Sequence, residues 1–177
     1  MCPGWPAPSF SLRIKKSLKK TSNPVRLGIL SAAAINPVAI FDTVDTHPDV
    51  LLVGIAARDQ KKAEAQIKKY KRGAECRAYA SYDELLDDAS IDAVYIPLPN
   101  GLHYEWAIKV MKKGKHVLIE KPITSRAEQV RELKRTSEET GKVALEAYHW
   151  RFHPATHYVK ELCDCGNYGD VLASRHA

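Results

Sequence analysis

A charged pair stands where one of the predicted strands of this sequence ends. The segment at residues 115–119 is followed by Glu120, Lys121 and Pro122. Two charged side chains at the end of a buried strand are unfavourable unless they are paired or used. A partly buried lysine can take part in proton transfer, and a cis Pro122 would fix its direction. The alternative is a surface ion pair at the exit of the strand.

The stretch LGILSAAAINPVAI, residues 27–40, has the order of a dinucleotide-binding loop but lacks its glycines. A strand candidate precedes the loop and a helix candidate follows Pro37. Ser31, Ala33 and Asn36 stand where three glycines would be expected. Small side chains still let the backbone approach a pyrophosphate, whose charge the N–H groups of the following helix can bind. The substitutions remove the ability to adopt positive φ cheaply, so this signal alone is weak.

Arg58 follows another apolar run, at residues 50–56. A site selective for NAD usually has Asp or Glu at this strand end, where it binds the ribose 2′-hydroxyl. An arginine would instead bind a 2′-phosphate through charge-assisted hydrogen bonds, which favours NADP over NAD. The alternative is a solvated surface arginine. The next residue, Asp59, either binds a hydroxyl group or caps the helix that follows.

The segment IPLPNGLHYEW, residues 96–106, supplies a fourth candidate. Pro97, Pro99 and Asn100 end a strand abruptly, and the two prolines keep the loop extended and stiff, as suits a wall beside a flat ring. His103 would lie in the first turn of the next helix. A lone histidine on a helix is more often structural than catalytic.

These candidates all lie near the ends of predicted strands, which alternate with helical periods. Such alternation with short connections predicts βαβ units and a parallel sheet, in which ligands bind beyond the carboxyl ends of the strands. Capping boxes at Ser81 and Ser125, with Glu84 and Glu128, predict two helix starts. Another helix is expected at about residues 155–163. The predicted strands are residues 25–30, 50–56, 75–80, 92–98, 115–120 and 142–147.

The net charge of +6 is concentrated at the start of the chain. Residues 1–24 contribute five cations and no acid, which leaves +1 for the remainder and argues against a nucleic-acid-binding face. The composition of this segment predicts a disordered basic leader, with a mitochondrial transit peptide as the alternative.

The other composition signals indicate an ordinary intracellular protein. No segment is apolar enough to span a membrane, and we expect a cytoplasmic location. The four cysteines are interpreted as reduced thiols, so no metal site is expected. Cys163 and Cys165 flank a single aspartate, and a metal or redox pair there is the alternative.

Taken together, these segments resemble the N-terminal domain of the Gfo/Idh/MocA oxidoreductase family. The most specific parts are PNGLHYEWA and GKHVLI followed by Glu-Lys-Pro; GILSAAAIN and EAYHWRFHPA are similar to the NADP-dependent D-xylose dehydrogenase and dimeric dihydrodiol dehydrogenase branch. In that branch serine commonly replaces the first fingerprint glycine. The resemblance implies a doubly wound α/β Rossmann fold over residues 25–148. It implies that residues 149–177 begin a second α/β domain, which this chain does not complete.

The resemblance also implies roles for individual residues. Ser31–Ile35 would line the pyrophosphate, Arg58 would meet the adenosine end, and Glu120 would reach the nicotinamide ribose. Lys121 would lie near the hydride-transfer centre and assist proton movement. The implied cofactor-binding residues are Ser31, Ala32, Ala33, Ala34, Ile35, Arg58, Leu98, Pro99, Asn100, His103, Glu120 and Lys121.

The implied activity is hydride transfer between NADP, less readily NAD, and the carbinol carbon of a small sugar or diol. Trp150 and Arg151 would border the substrate pocket. In the family the second domain supplies most of that pocket and usually the dimer interface, so catalysis by these 177 residues alone is in doubt. The alternative is a non-catalytic NAD(P)-binding module or regulator. No nucleic-acid or membrane partner is expected.

Overall fold

The computed structural model describes residues 19–167 and residue 169. Most of the predicted leader lies outside the described residues, as do residue 168 and residues 170–177 of the predicted second domain. The described chain divides into two units, residues 19–147 and residues 148–167. Within the first unit, the Thr21 N–H donates to the Pro48 carbonyl at 3.0 Å, so hydrogen bonding begins before the first strand.

Six parallel strands form one sheet in the order β3-β2-β1-β4-β5-β6. This order confirms the prediction of a doubly wound α/β fold. The first two strands have their predicted bounds, whereas the other four are shorter than predicted. The strands are β1 (Val25–Leu30), β2 (Val50–Ala56), β3 (Arg77–Tyr79), β4 (Ala93–Ile96), β5 (His116–Ile119) and β6 (Ala144–Glu146).

The central strands are buried on both faces because helices cover each side of the sheet there, whereas Leu145 on the edge strand β6 is 44% exposed. Side chains alternate between two cores: Ile29 packs with Phe41 and Val44, while Leu30 packs with helical residues on the opposite face, Leu85 among them. The helices of the first unit are α1 (Asp42–Thr46), α2 (Gln60–Lys69), α3 (Tyr82–Asp87), α4 (Asn100–Lys112) and α5 (Ala127–Thr140).

Side-chain caps mark where two of these helices, α2 and α3, begin. Ser81 caps α3 by accepting from the Glu84 N–H at 3.0 Å, and the Glu84 carboxylate accepts from the Ala80 N–H. The capping box predicted at Ser125 is wrong. Helix α5 begins after Arg126, which has no side-chain cap, because the chain stays extended for one residue longer than the motif requires.

The second unit is short. It contains a 3₁₀ turn (His149–Phe152) and α6 (Pro154–Asp164). His153 caps α6 by accepting from the Ala155 N–H at 3.1 Å, and Pro154 occupies the first helical position, where a missing N–H costs nothing. The helix predicted at about residues 155–163 is confirmed.

Candidate functional site

A cleft of about 570 Å³ opens beyond the carboxyl ends of β1, β2 and β4. The strand order reverses between β1 and β4, and such a reversal is where open α/β sheets bind their ligands. The volume is in the range of small-molecule sites. The cleft is lined by Ser31, Ala32, Ala57, Arg58, Asp59, Lys62, Tyr82, Leu98, Pro99 and Leu102.

The loop after β1 begins with a residue in an unusual conformation. Ser31 has φ of 106°, in the region that glycine adopts readily and other residues adopt at a cost. Its N–H donates to the Ala56 carbonyl at 2.7 Å, which joins the loop to the end of β2. Among the described residues, the backbone N–H groups of residues 32–35 make no hydrogen bond. These donors could therefore bind an anion in the cleft.

A helix follows Pro37 as predicted, but it is short. A π-helical turn, Pro37–Phe41, leads directly into the five residues of α1. Its first turn contains no acidic residue and no side-chain cap. Any anion binding at this loop must therefore depend mainly on the loop's own N–H groups rather than on a long helix dipole.

Two side-chain amides bind backbone carbonyls of the loop. Asn36 is fully buried, and its Nδ2 group donates to the Ser31 carbonyl and to Gln66 Oε1, each at 2.9 Å. Gln66, on α2, donates from Nε2 to the Ala33 carbonyl at 2.9 Å. Two loop carbonyls are thereby engaged by side chains, and the loop is tied to α2.

The end of β2 presents cations to the cleft. Arg58 is exposed, and Lys62 lines the same cleft from the first turn of α2. The Asp59 carboxylate accepts from the Lys61 N–H at 3.1 Å and caps α2. Of the two roles considered for Asp59, the structure shows the cap, and the residue also lines the cleft.

The opposite wall is formed by the loop between β4 and α4. Leu98 is almost fully buried, whereas Pro99 and Asn100 are exposed at the start of α4. The Leu102 N–H donates to the Pro99 carbonyl at 2.8 Å and closes the first turn. Leu98, Pro99 and Leu102 give this wall a largely apolar surface.

The turn after β5 contains the charged pair. Tyr95, on β4 and 1% exposed, donates its hydroxyl to Glu120 Oε1 at 2.6 Å. Burial of the Tyr95 hydroxyl, followed by its hydrogen bond to Glu120, raises its pKa well above the usual value, so it remains a donor. Lys121 is exposed, and among the described residues its ammonium makes no ion pair. The alternative of a Glu120–Lys121 surface ion pair is therefore not what the structure shows.

His103 connects the two neighbouring turns. It is fully buried, with Nε2 at 2.7 Å from the Leu98 carbonyl and Nδ1 at 2.8 Å from the Pro122 carbonyl. Carbonyl oxygens only accept, so which of these carbonyls receives an N–H from the ring depends on the tautomer. Glu146 Oε1 on β6 accepts from the Ile123 N–H at 2.8 Å. The Lys121–Pro122 peptide bond is cis.

The structure brings five of the predicted site residues into one cleft: Ser31, Ala32, Arg58, Leu98 and Pro99. Ala33, Ala34 and Ile35 continue the same loop, and Asn100 begins α4. His103 lies behind the wall with both ring nitrogens engaged. Trp150 and Arg151 belong to the second unit, in which Trp150 is 60% exposed and packs against His153.

Sequence reasoning missed the residues that position the loop and the turn. Asn36 was singled out only as a replacement for a glycine, and Gln66, Tyr95 and Glu146 bind partners that lie far away in sequence. One signal was available, because a tyrosine inside a buried strand usually needs a partner for its hydroxyl. Lys62 was also missed, although it lies one helical turn from Arg58.

A second hollow, of about 330 Å³, lies against β1, β4, β5 and β6. Its lining is mostly aliphatic, including Leu27, Val44 and Leu118, so it lacks the convergent polar groups of a catalytic site. Among the described residues, no cluster of His, Cys, Asp or Glu could hold a metal ion. In the same part of the chain, no helix is both long and apolar enough to cross a membrane.

Comparison with known proteins identifies the fold with a specific family. Residues 25–148 match the family model described as the Gfo/Idh/MocA oxidoreductase family, NAD-binding Rossmann fold. The chain is 36% identical over 154 residues to a dTDP-3,4-didehydro-2,6-dideoxy-α-D-glucose 3-reductase of Streptomyces violaceoruber, covering 87% of this chain and 44% of the relative. It is 39% identical over 135 residues to D-xylose 1-dehydrogenase (NADP(+)) 2 of Haloferax volcanii, covering 76% and 40%.

A solved structure supports the same assignment. A variant of KijD10, a 3-ketoreductase from Actinomadura kijaniata in complex with TDP-benzene and NADP, superimposes with a TM-score of 0.76 at 30% identity. The match covers 83% of this chain and 46% of that one. The chain therefore spans less than half the length of these relatives.

Proposed function

The chain belongs to the Gfo/Idh/MocA oxidoreductase family, and we propose that the cleft beyond β1, β2 and β4 binds NADP. The observation that carries the proposal is the meeting of two features in one cleft. Within the described part of the chain, the N–H groups of residues 32–35 make no hydrogen bond, and Arg58 and Lys62 line the same cleft. A dinucleotide carrying a 2′-phosphate needs both.

The preference for NADP over NAD follows from the end of β2. Binding NAD there usually requires a carboxylate that is available to the ribose hydroxyls. The only carboxylate lining the cleft, within the described residues, is Asp59, which is occupied in part by capping α2. Arg58 and Lys62 instead supply two positive charges for a phosphate. Neighbouring Tyr82 and Leu102 supply apolar surface for the adenine ring.

The nicotinamide end of the cofactor would lie between the loop after β4 and the turn after β5. Pro99 and Asn100 would line it, and Glu120, held by Tyr95, would accept a hydrogen bond from the ribose. His103 would support this wall through its carbonyl contacts. Bound NADP would supply the hydride acceptor for a substrate carbinol carbon. Lys121 would hold and pass on the proton that leaves the hydroxyl of that carbon.

The proposed substrate is a small sugar or diol. The support is that the relatives named above act, by their names, on D-xylose and on a nucleotide-linked deoxysugar. Residues 149–177 would begin the substrate domain, with Trp150 and Arg151 at the substrate pocket. Exposed aromatic side chains in the second unit, Trp150 and Phe152 at 60% each, are suited to stacking on a sugar ring.

A nucleotide titration of the 177-residue chain tests the cofactor proposal. We expect NADPH to bind more tightly than NADH, as followed by nicotinamide fluorescence. Arg58→Ala should raise the dissociation constant of NADPH about tenfold and that of NADH less than about twofold, because only NADPH carries the 2′-phosphate. Arg131→Ala, an exposed arginine on α5, is the matched control. Equal affinity for both nucleotides, or equal losses in Arg58→Ala, would overturn the preference for NADP.

A turnover assay tests the role of Lys121. With D-xylose and NADP⁺, Lys121→Ala should lower kcat by about 100-fold or more and change the NADPH dissociation constant by less than about threefold. Lys112→Ala, an exposed lysine on α4, is the control. Binding without turnover in the unaltered chain would instead indicate a nucleotide-binding module.

A further inference from the structure

We propose that Asn36 and Gln66 are positioning residues that hold the residue 31–35 loop in its anion-binding form. They would do so in place of the glycines that such loops normally contain. The inference rests on the proposed binding of NADP in this cleft. Neither residue would touch the cofactor, since each acts through the backbone carbonyls of the loop.

The first step concerns the direction of the loop's peptide dipoles. An anion is repelled by carbonyl oxygens and attracted by N–H groups. The Ser31 carbonyl is bound by Asn36 and the Ala33 carbonyl by Gln66, each at 2.9 Å. These hydrogen bonds fix two carbonyls on the side of α2 and leave the N–H groups of residues 32–35 without partners among the described residues.

The second step concerns Ser31. A serine at φ of 106° has a strong tendency to relax to negative φ, and such residues persist only where their surroundings over-determine them. The hydrogen bond from the Ser31 N–H to Ala56 holds one side of this residue, and the bond from Asn36 to its carbonyl holds the other. A glycine would need neither restraint.

The third step concerns the side-chain oxygen of Asn36, which lacks a hydrogen bond that a residue with only a packing role would be expected to make. Its Oδ1 atom is buried and has no hydrogen-bond partner among the described residues. A buried acceptor without a partner is destabilising, and such groups in folded proteins need an explanation. The donors on Nδ2, which bind Ser31 and Gln66, supply that explanation.

The test uses Gln66→Met in the 177-residue chain, which keeps the length of the side chain and removes its hydrogen bonds. Gln60→Met, at an exposed position on the same helix, is the matched control. We expect Gln66→Met to raise the dissociation constant of NADPH about tenfold, which is the effect expected for the loss of two hydrogen bonds. Binding of adenosine 2′-monophosphate, which carries no phosphate at the 5′ position, should weaken by less than about threefold. Equal losses for both ligands, or no loss, would overturn the proposal.

A rescue experiment separates positioning from general damage to the fold. Ser31→Gly should improve NADPH binding about threefold or more in the Gln66→Met background and much less in the unaltered chain, because glycine adopts positive φ without help. Additive effects would overturn the proposal.

Hydrogen exchange of the ligand-free chain distinguishes this inference from the proposed function. Faster exchange of the Ser31 and Asn36 amides, which donate to the Ala56 and Ala33 carbonyls, in a Gln66→Met chain that binds no nucleotide would show that Gln66 holds the loop and that the proposed cofactor is wrong. Unchanged exchange of these amides would show that Gln66 does not hold the loop.

Discussion

The loop after β1, which lines the cleft, and the turn after β5, which does not, are held in different ways. The loop, residues 31–36, is made of small residues, and its shape depends on two amide side chains that bind its carbonyls. The turn, residues 120–123, carries charged side chains and is held from three separate elements: Tyr95 of β4, His103 of α4 and Glu146 of β6. The loop offers backbone donors, whereas the turn offers side-chain functional groups.

The difference teaches where each kind of chemistry needs support. Backbone donors need only a fixed peptide orientation, which one pair of amides can supply. A lysine and a glutamate must be aimed, and aiming a flexible side chain requires that the backbone beneath it be fixed from several directions. The turn should therefore be more sensitive to single substitutions than the loop.

The largest effect is expected for His103→Leu. This change removes the buried imidazole that contacts the Leu98 and Pro122 carbonyls, and the free energy of unfolding should fall by about 3 kcal/mol. Urea unfolding measures it, with the exposed helical His157→Leu as control. A loss below about 1 kcal/mol would show that the two turns are held without His103.

The next prediction concerns Asp88, which lies outside the cleft and belongs to the surrounding fold. Hydrogen bonds from Ser90 and Tyr79 lower the pKa of Asp88 to about 2. Because this pKa is depressed on folding, its contribution of about 2 kcal/mol is present above pH 4 and is lost as the pH falls towards 2.

Asp88→Asn should therefore lower stability at pH 6 and flatten its dependence between pH 4 and 2, without changing NADPH affinity. Thermal unfolding across this pH range is the measurement, and Asp83→Asn, an exposed residue on α3, is the control. An unchanged pH profile, or a change in NADPH affinity, would contradict the claim that Asp88 stabilises the fold without affecting the cleft.

A smaller effect is expected for Tyr95→Phe, which removes the hydroxyl bonded to Glu120. The loss should be about 1.5 kcal/mol, typical of a hydrogen bond to a charged group. Tyr70→Phe is the control, because that hydroxyl makes no hydrogen bond within the described residues. Binding of NADPH should weaken, whereas binding of adenosine 2′,5′-bisphosphate should not change, because Glu120 is assigned to the nicotinamide side of the cofactor. Equal weakening of both ligands would contradict that assignment.

Much of the scaffold could be predicted from the sequence. Apolar runs gave the bounds of β1 and β2, and Ser81 with Glu84 marked the start of α3, because these signals are local. The Ser125 motif failed because a capping box also requires the chain to enter the helix at that residue. The family assignment and the gathering of Ser31, Arg58 and Leu98 in one cleft could likewise be anticipated from motifs.

The supporting residues could not be predicted in the same way. Asn36 and Gln66 are 30 residues apart, and Tyr95 and Glu120 are 25 apart, so their contacts exist only after the sheet has formed. No local period or spacing encodes a hydrogen bond between two helices or two strands. Such residues can be found only once the register of the parallel strands is known.

The most direct test of the central claim is an amide NMR titration of the 177-residue chain with NADPH. The claim is that the loop and the turn bind opposite ends of one cofactor. The account predicts shifts of the amides of residues 32–35 and of residues 120, 121 and 123 that follow a single dissociation constant. Shifts confined to one side, or centred on the apolar hollow around Val44 and Leu118, would contradict it.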